Sequence, residues 1–380
     1  MLRSTPARVI PALLLAACGA ALAFAAPQRT GSAERYNLTG EDIALYNLAG
    51  EVHIHATSGN QVVVDVDRGG RDATRLDVAT GPIGSRQTLR VRYPGDRVSY
   101  PSVKGNWQTE VRVREDGTFG DDSKRANPWS GDKVVVTSRS GGFEAHADLD
   151  IGVPAGAKLA MYLAVGEVEV ANVDGNIQVH AHASRVNAKT VKGDLLIDTG
   201  SGGVTVQGVT GDLNVDTGSG SVHVEDVKGG MLKVDTGSGG VDVSTAQVDD
   251  LRIDTGSGYV ELSEIRAGDI LVDTGSGGVS LDLMSDIDNL DVDTGSGGVT
   301  LYVPRNLGAD FEVDTGGGGI RIDVPHQAQH VKRDEARGRI GDGRGRIRVD
   351  TGSGSVQIRP RATGGSSYGA AIGRLLGRFE

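Results

Sequence analysis

The chain holds one cysteine, Cys18, in 380 residues. No intramolecular disulfide can form, and no cysteine cluster exists to hold zinc. Aromatic residues make up only 4% of the sequence, so a core must be built from Val, Ile and Leu. Positive charge is in deficit. The formal net charge is −11, which argues against nucleic acid as a partner of the whole molecule. Beyond the N-terminal segment no run reaches the ~20 apolar residues of a membrane helix. A phosphate loop with its lysine is missing, and so is a G-x-S-x-G nucleophile elbow.

Residues 1–26 read as a targeting segment: Arg3 and Arg8 precede an alanine-rich apolar run from Val9 to Ala26. Two processing sites compete. Ala23-Phe24-Ala25 offers small residues for signal-peptidase cleavage, whereas Leu15-Ala16-Ala17-Cys18 resembles a lipobox that would make Cys18 a lipid anchor. The apolar run continues past Cys18, which favours plain export to the periplasm, outer envelope or exterior.

Glycine is abundant, at 58 residues, and much of it lies in one recurring word. "DTGSG" begins at Asp198, Asp216, Asp235, Asp254, Asp273, Asp293 and Asp350, with a DTGGG variant at Asp314. The steps from Asp198 to Asp314 are 18, 19, 19, 19, 20 and 21 residues, and the step to Asp350 is 36. Degenerate copies upstream place His180 and then Tyr162 in the same slot. Within a unit such as 211–224, Leu213 and Val215, then Val222 and Val224, alternate with polar residues. That period of two marks half-buried strands. Gly200, Gly202, Gly218, Gly220, Gly237, Gly239, Gly256, Gly258, Gly275 and Gly277 mark tight turns, where glycine would supply positive φ.

Such a unit cannot bury its apolar face alone, but stacked copies can. The expected fold is all-β: a single-stranded parallel β-solenoid of about ten coils of 18–21 residues over 157–360. Val204, Val222, Val241, Val260, Val279, Val299, Ile320 and Val356 would form one internal ladder. Leu195, Leu213, Leu232, Leu251, Ile270, Leu290 and Phe311 would form another. Residues 27–156 supply an irregular β region and cap, with strand-like runs at 62–66, 89–93, 110–114 and 133–137. The segment 325–346 interrupts the period as a basic, solvated excursion, with a patch for an anionic glycan or lipid headgroup as the alternative. Residues 361–380 carry apolar positions Tyr368, Ile372, Leu375, Leu376 and Phe379 on one face of a short helix.

Three stretches carry a family resemblance: "IALYNLAGEVHIHATSGNQVVVDVDRGG" (43–70), "ADLDIGVPAGAKLAMYLAVGEVEV" (147–170) and "ARGRIGDGRGRIRVDTGSGSVQI" (336–358). An N-G-x-V-like first coil, a VPAGAKL entry and T-G-S-G-x-V coils resemble the bacterial putative-adhesin β-strand-repeat family. The resemblance implies an exported β-solenoid. That family has no established activity, so no catalytic residues carry over.

Read alone, Asp198-Thr199-Gly200-Ser201 matches the active-site word of aspartic proteases. Those enzymes need two carboxylates facing each other across two lobes. Eight copies at one pitch instead make a file about 4.8 Å apart. In that file each Asp is expected to accept a backbone N–H two residues on and so fix the corner. Neighbouring carboxylates ~5 Å apart repel by about 0.8 kcal/mol in water and ~3 kcal/mol at an effective dielectric of 20. Weak Ca²⁺ along Asp198, Asp216, Asp235, Asp254, Asp273 and Asp293 would relieve that repulsion. The pairs His53/His55 and His180/His182 lie on strand faces, and His326/His330 fit one helical turn. Two histidines without a third ligand do not make a zinc site. The reading is a non-enzymatic structural, adhesive or binding module of the cell envelope, meeting an envelope polymer, glycan or protein by multivalent contact. The alternative is a polysaccharide-acting β-helix enzyme with its site near the 100–132 loop, which holds Trp107 and Trp129.

Overall fold

The computed structural model describes residues 33–101, 107–120 and 131–362. These residues form strands, with a single 3-10 turn at Ala73–Arg75. The repeat folds as read. Leu195–Ser201, Leu213–Ser219, Met231–Thr236, Asp250–Thr255, Asp269–Thr274 and Asn289–Thr294 stack in parallel as a first wall. Val204–Thr210, Val222–Lys228, Val241–Gln247, Val260–Arg266, Val279–Leu283 and Val299–Val303 stack as a second. Identical slots fall in register, so Val206, Val224 and Val243 meet inside and are fully buried. A slip of one residue would turn each apolar slot outward, which is why the register is strict.

The stack begins earlier than the period does. Ala157–Lys192 is one 36-residue strand that lies beside Leu195–Ser201 and Val204–Thr210. Its first part pairs in parallel with Asp42–Ala56, Leu159 opposite Ile43 and Val168 opposite Val52. The segment 42–56, read on sequence as part of the N-terminal region, therefore continues the solenoid. The runs expected at 62–66, 89–93, 110–114 and 133–137 appear as Val62–Gly69, Arg86–Arg92, Gln108–Val113 and Asp132–Thr137. Residues 97–144 add a small four-stranded sheet. Its Val98, Tyr100, Val111, Phe119, Val134 and Val136 cover the outward side chains Ala44, Tyr46, Ala160 and Tyr162.

Both ends of the first wall are covered by antiparallel hairpins, which shield strand edges that would otherwise template association. At the N-terminal end Arg86–Arg92 pairs with Asp42–Ala56 and folds back on Asp77–Ile83. At the other end the excursion 325–346 is solvated, as its exposed outer strand shows, but it is ordered. His326–Val331 and Glu335–Ile340 form a hairpin, and Glu335–Ile340 runs antiparallel along Ala309–Thr315. His326 and His330 consequently lie on a strand and not on a helical turn. The helix expected within 361–380 lies outside the described residues, apart from Arg361 and Ala362.

The order of the last coils departs from the sequence. Asn289–Thr294 pairs with Gly345–Thr351, and Gly345–Thr351 pairs in turn with Ala309–Thr315. Val299–Val303, Val356–Pro360 and Ile320–Ile322 follow the same order on the second wall. The final coil, 345–360, is thus interposed between two coils that precede it in the chain. Internal ladders therefore run Val299, Val356, Ile320, reversing the expected order of the last two. Charge explains the choice. Interposition sets Arg348 between Asp291 and Glu312, and Arg346 between Asn289 and Asp310. Sequential stacking would have put Asp291 directly against Glu312, and like charges in register repel.

Candidate functional site

The most regular feature of the surface is one outward column on the first wall. Its members in spatial order are Asp198, Asp216, Asp235, Asp254, Asp273, Asp293, Asp350 and Asp314. Upstream the column becomes aromatic. His180 pairs with Asp198, with its Nδ1 3.4 Å from Oδ2. The His180 ring stacks on Tyr162 at 4.7 Å, and Tyr162 stacks on Tyr46 at 4.6 Å. The tyrosines are buried under the small sheet, whereas the aspartates are exposed or half-buried. The column therefore emerges from beneath the sheet as a file of carboxylates.

Mutual repulsion is visible in this file. Asp216 and Asp273 both have carboxyl pKa values raised, first by partial desolvation and then by the aspartates of the coils on either side. Some charge is offset from the flank, as by Lys233, whose Nζ is 3.9 Å from Asp235. Among the described residues no three His, Cys, Asp or Glu side chains converge on a point that could hold a metal ion.

At seven of the eight corners the residue after the Asp supplies a hydroxyl bond, the exception being Thr217. Thr199, Thr217, Thr236, Thr255, Thr274, Thr294, Thr315 and Thr351 point inward and are buried. Thr274 Oγ1 donates to the Gly258 carbonyl of the preceding coil at 3.3 Å and accepts from its own Gly277 N–H at 3.0 Å. Thr294 and Thr351 repeat both bonds. Among the described residues, none of the file's carboxylates accepts a backbone N–H, so the corner role expected of the Asp belongs to the Thr. Carboxylates do fix corners elsewhere. Asp212 Oδ1 accepts from Gly230 and Met231 of the next coil at 3.1 and 2.9 Å.

The turn glycines also serve a different purpose from the one expected. Of the ten, only Gly202 has φ in the left-handed range, at +140°. What the others share is close approach. A Cβ on Gly277 would lie 1.6 Å from the Gly258 carbonyl oxygen. The left-handed positions sit on the second wall instead. Asn172, Thr190, Asp226, Thr245 and Glu264 have φ between 54° and 56°, with Gly208 at 76° in the same column. Each bends the strand once per coil. Sequence reading missed this column, although Asn, Gly and Asp recurring there at an 18-residue step were its signal.

Most other residues singled out on sequence are engaged in pairs. His53 meets Glu169 at 3.1 Å, His55 meets Asp150 at 3.0 Å, and His330 meets Glu335 at 3.4 Å. His182 lacks such a partner and its pKa is lowered by burial. Trp129 lies outside the described residues, as do 102–106 and 121–130. On the described part of the 100–132 loop, Glu110 pairs with Lys133 and Asp116 accepts from Thr118.

The model of the family described as Toastrack DUF4097 matches residues 41–359, almost the whole described stack. The chain belongs to the Toastrack family. Two solved structures are similar at 11% identity: a putative cell adhesion protein from Clostridium sporogenes and a putative adhesin from Bacteroides fragilis. The first similarity covers 87% of this chain and 99% of the other, with a TM-score of 0.21. The second covers 86% and 95%, with a TM-score of 0.29. No curated protein matches the chain. Among the described residues, no helix of this Toastrack chain is long and apolar enough to cross a membrane.

Proposed function

We infer that this Toastrack protein is an exported, non-enzymatic binding or adhesive module of the bacterial envelope. Its walls meet an envelope polymer, glycan or protein through many weak contacts and not at one pocket. The observation that supports this most is the unbroken register of the outward columns. Chemically identical groups recur at one-strand spacing over eight coils of the Asp file, a pattern suited to a repeating partner. A flank that offers the same group many times gains through effective concentration, so individually weak contacts add to firm attachment. Reading residues 1–26 as an export signal, cleaved after Ala25 or lipidated at Cys18, fits delivery to that compartment. Nucleic acid is disfavoured by the net charge of −11.

The carboxylate file further suggests weak divalent cations as part of the contact. Ca²⁺ shared between neighbouring coils would relieve the repulsion felt at Asp216 and Asp273. The test is a glycan array and an envelope pull-down with the full chain, run in Ca²⁺ and in EDTA. Saturable, multivalent retention that strengthens in Ca²⁺ supports the reading. Absence of retention in both conditions overturns the binding role, and superimposable melts in Ca²⁺ and EDTA overturn the divalent part.

A further inference from the structure

The closed C-terminal end carries a feature that the repeated walls do not. Residues 305–361 hold eleven Lys or Arg against eight Asp or Glu, on a chain whose total is −11. Most of these cations are already matched. Arg339 grips Asp310 through Nε at 2.6 Å and Nη2 at 3.1 Å. Arg337 pairs with Glu312 and Glu335. Arg344 pairs with Asp286 and Asp342, and Lys332 with Glu335. The hairpin thus supplies arginines that occupy the carboxylates of the neighbouring coil.

Among the described residues Arg305, Arg333, Arg346, Arg348 and Arg359 have no such ion pair, and two of these share one face. Arg346 and Arg348 project outward, two residues apart, from the interposed coil. Among the described residues neither side chain makes a hydrogen bond or an ion pair. Together with Arg337 and Gln329 they line a recess of about 500 Å³ against Phe311, whose wall also includes Asp310 and Glu312, the carboxylates already held by Arg339 and Arg337. Gln329 reaches it through a local irregularity. The register of His326–Val331 against Glu335–Ile340 shifts between Ala328 and His330, leaving Gln329 as the extra residue. Such bulges re-aim a side chain. Arginine forks match the oxygens of tetrahedral oxyanions and hold them through charge-assisted hydrogen bonds.

We propose that Arg346, Arg348, Arg337 and Gln329 form a binding site for a phosphate group at the hairpin-closed end of the solenoid. The site does not rest on the reading of the repeated walls, which carry carboxylates and would repel such a ligand. Its phosphate comes from a lipid headgroup or from a soluble phosphate ester, and both present the same oxygens.

The test is equilibrium binding of inorganic phosphate to the full chain at low ionic strength. Saturable binding at one equivalent is expected. The double variant R346Q/R348Q should lose at least about tenfold in affinity. Q329A should weaken binding without touching charge, and it checks the site even where the double variant folds poorly. K332Q/R333Q, at the hairpin tip, should bind as the unaltered chain does. Absence of saturable binding overturns the proposal. So does an equal loss in K332Q/R333Q, which would show response to net charge alone. Flotation with phosphatidylglycerol vesicles separates the sources. Vesicle binding lost in Q329A assigns the lipid headgroup, and phosphate binding without vesicle binding assigns a soluble ester.

Discussion

Replacing Gly277 with alanine tests the spacing of the coils directly. The added Cβ would sit 1.6 Å from the Gly258 carbonyl oxygen of the preceding coil. Reaching ordinary contact requires the two coils to part by about 1.8 Å, nearly two fifths of their ~4.8 Å separation. That opening breaks the Thr274 bond to the Gly258 carbonyl, now 3.3 Å, and strains the Gly275 N–H bond to the Thr255 carbonyl, now 3.1 Å. Overpacking costs about 3 kcal/mol, and each lost hydrogen bond adds about 1 kcal/mol. The expected destabilisation is therefore about 4–5 kcal/mol. Gly319→Ala is the matched control. No atom lies within 4 Å of its Cβ position and its φ is not in the left-handed range, so alanine there should stabilise by about 0.5 kcal/mol through the unfolded state. Urea unfolding followed by circular dichroism reads both. A Gly277→Ala protein within about 0.5 kcal/mol of the unaltered chain would refute close approach as the reason for these glycines.

Three further outcomes follow from single columns. Thr245 is a β-branched residue held at φ 56°, so Thr245→Gly should raise the unfolding midpoint, by a net ~0.5–1 kcal/mol after the entropy of the added glycine; a lower midpoint would show that the Thr245 side chain matters more than its backbone. Asp273 has a raised carboxyl pKa, so its folded form holds a proton more tightly than the unfolded chain does. Its ionisation is unfavourable at neutral pH, and that penalty fades as pH falls through the folded pKa and is gone below the unfolded value of ~3.9. Asp273→Asn should then melt higher than the unaltered chain at pH 7 and converge with it near pH 4, whereas a lower melting temperature at pH 7 would mean the carboxylate makes a stabilising bond. In a Cys18→Ser background, cysteines at Thr300 and Gln357 should form a disulfide, since the two positions are in register. Cysteines at Thr300 and Arg321 should not, and the reverse result would restore sequential coil order.

The repeat and its register were legible because an apolar slot every other residue, copied at a fixed step, leaves one way to bury the chain. Coil order was not legible from that pattern. Each coil presents the same valine to its neighbours, so the internal ladders accept any order. The outward charges of Asp291, Arg348 and Glu312 break the tie. Alternation placed Thr274 inward, but its bond partner is a carbonyl of another coil, which no local reading supplies. Gly277 was visible as a corner. Its reason, a carbonyl oxygen from the preceding coil, became visible only once the coils were stacked. The first coil, 42–56, escaped the period because it lacks the T-G-S-G corner.

In the proposed role the walls bind by repetition. The direct measurement is retention on isolated envelope material as coils are removed in whole periods, beginning with deletion of residues 250–268, which joins Asp249 to Asp269 and preserves the corner pattern. Multivalent contact predicts a stepwise fall in affinity with each coil lost, and only a small effect from any one outward substitution. Unchanged retention after such deletions, combined with complete loss on a single surface substitution, would contradict it and place the activity in one pocket.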